Sequence, residues 1–209
     1  MSEATATART PRGQGDRLRE RLLDAGIEIV AEEGGPSHAT IRAVTKRAGV
    51  SPTAFYLHFS TRDEFLAALK QRGFEEFRAA VAEAADTGGN DPAARLRASA
   101  LGYMRFAREQ PNVYALIFSP DHGLEEGSWD PEAPGPASFR DLVERVVAYL
   151  DQAGREKPDV ERLALALWTG LHGHVTLSYA ARKMAWPSDE AFADDLARAW
   201  LGPPPRGGA

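Results

Sequence analysis

Cysteine is absent from the 209 residues, which excludes a disulfide scaffold and any thiol or cysteine-ligated metal chemistry. Long apolar runs are missing too, so no membrane-spanning helix is expected. Met1 to Gly15 lacks an apolar signal core and is rich in Ala, Thr, Arg and Gly, and the expected location is the cytoplasm. The chain carries no nucleophile elbow, phosphate-binding glycine loop or dinucleotide fingerprint, so no catalytic residue and no cofactor is assigned. His172 and His174 are two apart, about 200° around a helix, and cannot share one ion; no metal site is expected. Acidic residues are the local absence that matters most. The formal net charge is −5, yet no Asp or Glu occurs between Gly34 and Arg62, where Arg42, Lys46, Arg47 and Arg62 all lie. A chain that is acidic overall can still offer one basic face to a polyanion.

That stretch is also the best specified part of the chain. Thr40 to Phe59 reads as two short helices around a glycine turn, the layout of a helix-turn-helix. Ser51 can cap the second helix, Pro52 suits its first position, and Gly49 suits the left-handed position after the first. Ile41, Val44 and Ala48 recur at helical spacing and predict a core face, with Val50 in the turn and Phe55 and Phe59 four apart on the second helix. Arg42, Ser51, Thr53, Tyr56, His58, Thr61 and Arg62 are left outward as donors to phosphates, some within reach of base edges. Arg9, Arg12, Arg17, Arg19 and Arg21 add a basic approach on the N-terminal side.

The remainder predicts an all-α chain whose 43% apolar content suffices for one large core or two small ones. A long helix over 61–85 is capped by Thr61 and ended by Thr87-Gly88-Gly89-Asn90. A second starts at Asp91-Pro92 and stops at Gln110-Pro111, and a short one covers Asn112 to Phe118. Ser119 to Pro136, rich in Pro, Gly and acidic residues, predicts a loop. Ala137 to Ala153, Val160 to Lys183 and Ser188 to Leu201 complete the set, with Phe192, Leu196 and Trp200 as the apolar stations of the last. The organisation expected is a flexible arm over 1–15, a helix-turn-helix domain over 16–62, a helical body over 63–202 and a disordered tail over 203–209.

Residues 22 to 69 resemble the DNA-binding domain of the TetR/AcrR family of bacterial transcriptional regulators, most closely in Ala48-Gly49-Val50-Ser51, Phe55-Tyr56-Leu57-His58-Phe59 and Arg62-Asp63-Glu64-Phe65-Leu66. Trp168-Thr169-Gly170-Leu171-His172-Gly173 is similar to the signature of a WHG class of C-terminal domains in that family. The chain departs from the family pattern at Thr45, where alanine is common, at Leu57 and at Arg62. Thr45 fits if its hydroxyl bonds back to a carbonyl.

The resemblance implies a three-helix DNA-binding domain followed by a ligand-binding and dimerisation domain, acting as a homodimer, most often a repressor, on a palindromic double-stranded operator. Thr40, Arg42, Ser51, Pro52, Thr53, Ala54, Tyr56, His58, Thr61 and Arg62 are then the DNA-binding set, with Tyr56, His58 and Arg62 on phosphates and Arg42, Thr53 and Ala54 nearest the bases. A small-molecule effector, apolar or aromatic in the absence of a clear charged lining, would enter a cavity lined by Tyr103, Phe106, Tyr114, Phe118, Phe139, Trp168 and His172. Two other classes fit the residues less well. One is a helical enzyme using His122, His172 or His174, and the other is a protein-interaction module whose helix pair docks on a partner.

Overall fold

The computed structural model describes residues 14–119, 133–156 and 159–203, and among these it contains nine helices and no strand. The first three are α1 (Gln14–Glu33), α2 (Ile41–Ala48) and α3 (Pro52–Phe55). Thr40 caps α2 by accepting from the Ala43 N–H at 3.2 Å, and Ser51 caps α3 by accepting from Ala54 at 3.3 Å. Between them Gly49 takes φ 67°, a left-handed conformation that a Cβ would penalise. The α3 helix is shorter than the sequence pattern predicts, because the His58 and Phe59 amides both turn back to the Phe55 carbonyl. That turn drops Phe59 beside Phe55 and Phe65, with ring centroids 5.0–5.4 Å apart in one buried aromatic cluster. Thr45 satisfies its buried hydroxyl by donating to the Ile41 carbonyl at 2.8 Å, the arrangement its sequence position requires.

The body consists of α4 (Arg62–Asp86), α5 (Pro92–Glu109), α6 (Pro111–Ile117), α7 (Pro134–Gln152), α8 (Val160–Ala180) and α9 (Asp189–Leu201). Thr61 and Glu64 cap α4 together: the threonine oxygen accepts from the Glu64 N–H, and the glutamate accepts from the Ser60 N–H at 2.7 Å. The α7 helix begins at Pro134, three residues before the expected start, since prolines in a first turn remove amides that have no helical acceptor. The rest of the expected loop, 120–132, lies outside the described residues, as do His122, most of the N-terminal arm and most of the tail.

A single buried cluster runs from Leu22 in α1 through Phe55, Phe65 and Phe77 to Met104, Leu116, Leu171 and Ala193, so the helix-turn-helix and the body share one core. A second, smaller cluster joins α5, α7, α8 and α9 around Leu96, Val146, Tyr149 and Leu167. Helices α4 and α6 come close at Gly73 of α4, where a Cβ would stand 2.7 Å from Ile117 Cγ2 and 3.3 Å from Val113 Cγ1 of α6. Only glycine lets α6 sit this close to the long helix. Asn112 then ties α6 to α1 by donating to the Ala31 carbonyl at 2.9 Å.

Candidate DNA-reading surface and effector cavity

The capped α2–turn–α3 unit leaves one face outward. Arg42, Thr53 and Tyr56 are exposed, Ala54 and His58 are partly so, and Leu57 is 76% exposed. Thr40, Ser51 and Thr61 accept backbone amides as caps, and each hydroxyl keeps its proton to donate outward. Pro52 lies beside them at the start of α3, presenting its ring on the exposed side.

Arg62 departs from the expected phosphate role. Its Nη2 donates to the Pro36 carbonyl at 2.7 Å and its Nε to Ala39 at 3.4 Å, so it clamps the start of α4 onto the α1–α2 loop. The Pro36 carbonyl also accepts the Ala39 amide at 3.2 Å within the loop's own turn, and the guanidinium fork reaches both carbonyls. Three further cations read as basic surface are likewise engaged. Arg47 pairs with Glu28 at 3.1 Å and Glu32 at 3.0 Å on α1. Arg21 donates to the Ala48 carbonyl, and Arg19 lies 5.3 Å over the Phe59 ring. Arg42 and Lys46, one turn apart on α2, remain as the exposed cations of the face.

Below this unit, α4, α5, α7, α8 and α9 enclose a cavity of about 1320 Å³. Of the seven residues expected to line it, Tyr103, Phe118, Phe139 and Trp168 do, whereas Phe106, Tyr114 and His172 do not. Phe106 is buried edge-on against Phe77 with centroids 5.4 Å apart. Tyr114 and His172 form the layer behind the wall. The Tyr114 hydroxyl is 2.7 Å from His172 Nδ1 and 2.8 Å from the Tyr103 hydroxyl.

Burial pushes both phenols up in pKa and pulls the His172 ring down, so all three groups are neutral near pH 7. A proton on Nε2 would let His172 accept from Tyr114, which would in turn accept from Tyr103, and the polar groups behind the wall at Tyr103 would then satisfy one another.

The charged lining was not foreseen. Arg78, Arg97, Asp141, Arg145 and Asp194 all reach the cavity, as does Lys70, whose Nζ donates to the Ser119 carbonyl at 2.7 Å from a buried position. A signal existed in the sequence. Arg78 stands among Phe74, Phe77 and Val81, and Arg145 follows Leu142 by three residues, so both interrupt apolar faces at helical spacing.

His174, the other candidate acid or base, is a core histidine. Its ring stacks on Phe192 with centroids 4.0 Å apart, and Nε2 is 3.1 Å from Asp189. Asp189 is held below the usual carboxylate range first by Arg108, whose Nε donates at 2.8 Å, so the three residues tie α5, α8 and α9 together. Among the described residues no group of three His, Asp or Glu side chains is placed to hold a metal ion. None of the described helices is long and apolar enough to cross a membrane.

A capped helix-turn-helix above an all-helical body with a large internal cavity defines a DNA-binding transcriptional regulator. Residues 22–69 match the family model described as bacterial regulatory proteins, tetR family, and residues 96–199 match the tetracyclin repressor-like C-terminal domain, which includes the Trp168–Gly173 run. The chain belongs to the TetR family. It is 33% identical over 110 residues to the HTH-type transcriptional activator FasR of Mycolicibacterium smegmatis, an alignment spanning 53% of this chain and 49% of that protein. Among solved structures, a Rhodococcus sp. RHA1 protein of unknown function aligns over 90% of this chain and 95% of its own, with TM-score 0.73 and 28% identity. RolR in complex with resorcinol shares the fold over 91% of this chain and 90% of its own, with TM-score 0.62 and 20% identity. The family consists of transcriptional regulators rather than enzymes.

Proposed function

We propose that the protein is a ligand-responsive repressor that binds a palindromic operator as a homodimer and releases it when a small molecule occupies the cavity. The observation that carries this reading is the continuity of one core from the α3 aromatic cluster through α4 and α6 to the cavity wall at Phe118 and Trp168. A ligand that prefers a different placement of α4 relative to α6 shifts the population of reader orientations, because α4 also carries Phe65 of the α3 cluster. RolR, of the same fold, is a precedent for a small aromatic effector, since it was crystallised with resorcinol.

DNA contact is assigned to Arg42, Thr53 and Ala54 at base edges, and to Thr40, Ser51, Pro52, Tyr56, His58 and Thr61 on the phosphate side. Homodimerisation is assigned to the outer face of α8 and α9. Leu165 and Leu177 are 48% and 54% exposed in the stripe that also holds Thr169 and Gly173, and Trp200, one of the apolar stations of α9, is 51% exposed. Apolar side chains exposed along a helix of this length mark an interaction surface, and two symmetric readers would then span half-sites about 34 Å apart.

Selection of bound fragments from genomic DNA tests the proposal: it should return a two-fold symmetric site whose affinity falls steeply with salt. A reporter driven from the recovered site decides the sign of regulation, with higher expression in the deletion strain for a repressor and lower expression for an activator, as FasR is named. Failure to retain any duplex at low ionic strength would overturn the proposal.

A further inference from the structure

Four guanidinium groups reach the cavity, and three are matched by carboxylates. Asp141 binds Arg78 through bonds of 2.6 and 3.0 Å, Asp194 binds Arg97 at 2.6 and 3.3 Å, and Asp195 binds Arg198 at 3.2 Å. Arg145 makes no hydrogen bond and no close ion pair among the described residues, although it is largely covered. Asp141, one turn before it on α7, gives both carboxylate oxygens to Arg78.

The two long walls fix where this cation lies. Gly135 faces Phe74, a Cβ there standing 3.2 Å from the ring, and Asp141 faces Arg78, so α7 runs in the same direction as α4. Arg145 therefore stands beyond Arg78, toward the far end of the cavity from Lys70 and Gln71, where it also borders an open groove beside Arg95 and Glu144. Between these ends the wall is mainly aromatic, with Phe74, Phe118, Phe139 and Trp168. The lining of α4 from Gln71 to Val81 corresponds to about 15 Å of helix at 1.5 Å per residue. A planar fork of donors at one end of an elongated apolar chamber matches a carboxylate on an extended hydrophobic body.

We propose that the effector is an elongated amphipathic carboxylic acid, with its carboxylate on the Arg145 guanidinium and its apolar body laid along Phe74, Phe118, Phe139 and Trp168. This rests on the cavity being the effector site, and it replaces the neutral apolar ligand that composition suggests. Burial also lowers the Arg145 pKa; Asp141, Glu144 and Asp86 offset this in part, and the like charge of Arg95 adds to it. The group remains charged at any physiological pH, and an anion therefore relieves the desolvation.

The test uses the full chain and the neutral fluorophore N-phenyl-1-naphthylamine, whose entry does not depend on charge. It is displaced with dodecanoate and dodecan-1-ol, and separately with 2-naphthoate and 2-naphthol, so that chain and ring bodies are compared. Each acid is expected to compete at least about tenfold more tightly than its alcohol, as one charge-assisted contact gives. The ratio should fall to within about twofold in Arg145→Met and stand between these in Arg145→Lys. The acid pair with the larger ratio identifies the body.

Equal competition by acid and alcohol in the wild type, which requires no variant, overturns the proposal while leaving the cavity as the effector site. A preference kept by Arg145→Met also overturns it. Dye binding undiminished by Ala100→Trp, which fills the chamber, would remove the cavity reading itself, and the proposal with it.

Discussion

Tyr114 and His172 meet through a 2.7 Å contact between the phenolic oxygen and Nδ1, with the rings nearly parallel at 26° and 5.6 Å. The contact pins α6 to α8 directly behind the cavity wall, because the same hydroxyl also holds Tyr103. Burial lowers the His172 pKa below its ordinary value of about 6.5. The unfolded chain therefore binds the proton more readily than the native one, and this contribution to stability is present above pH 6.5 and declines as pH falls below it. Urea unfolding between pH 7.5 and 5.5 should show wild type losing more stability than His172→Gln. An equal slope for the two proteins would show that His172 is not the titrating group.

The same contact predicts the effect of Tyr114→Phe. Removing the hydroxyl leaves Nδ1 only the more distant Tyr103 oxygen at 3.3 Å, and a loss of about 1–2 kcal/mol at pH 7.5 is expected from unfolding curves.

Gly73 argues from shape rather than polarity. Alanine there gains about 1 kcal/mol of helix propensity, but its methyl would overlap Ile117 Cγ2 at 2.7 Å. Overpacking typically costs about 1–3 kcal/mol, so Gly73→Ala should be destabilised on balance. In the Ile117→Ala background the 2.7 Å overlap is gone, only the 3.3 Å approach to Val113 Cγ1 is left, and the propensity gain remains, so the same substitution should turn near neutral or stabilising. A double-mutant cycle on urea midpoints measures this coupling, and additivity would mean that α6 shifts freely away from α4.

Local signals made the elements legible in the sequence, and mutual orientation hid most of the site. The caps at Ser51, Thr61, Asp91 and Ser188 each accept the amide their position predicts, because capping depends on only three or four consecutive residues. Exposure at Arg42 and Tyr56 was legible from helical period alone. Arg62 and Arg47 were misjudged because their partners, Pro36 and Glu28, come from segments that fold back, and no periodicity encodes that. Tyr114 and His172 were expected to line the cavity with Tyr103 and Trp168, yet one more ring in depth sets them behind the wall. Trp200 keeps its four-residue spacing and is exposed nonetheless, as a face reserved for another chain would be.

Arg42 and Arg62 separate reading from scaffolding. Arg42 is exposed and lies on the outer face of α2, so Arg42→Ala should change stability by less than about 0.5 kcal/mol. It should weaken operator binding and relax base preference at one position, by about 1–3 kcal/mol if the contact is bidentate. Arg62→Ala removes bonds to Pro36 and Ala39, and a loss of about 1–3 kcal/mol of stability is expected. Paired thermal melts and binding curves on a recovered operator should dissociate the two effects; matching profiles for both variants would put Arg62 back on the DNA.

The outer face of α8 yields the last prediction. Leu165 and Leu177 are twelve residues apart, about 18 Å along α8 and about 120° around it, both on its exposed side, with Thr169 and Gly173 between them and open space where a Gly173 Cβ would stand. Small residues between two exposed leucines let a second helix approach closely, as the proposed symmetric pairing requires. Leu165→Glu with Leu177→Glu places four carboxylates at the centre of that contact, and like charges buried without partners are strongly unfavourable. The double variant should elute as a monomer by light scattering, keep its helical circular dichroism and lose most of its operator affinity, since a single reader covers only half of a palindrome. A variant that remained dimeric would move the interface off this face.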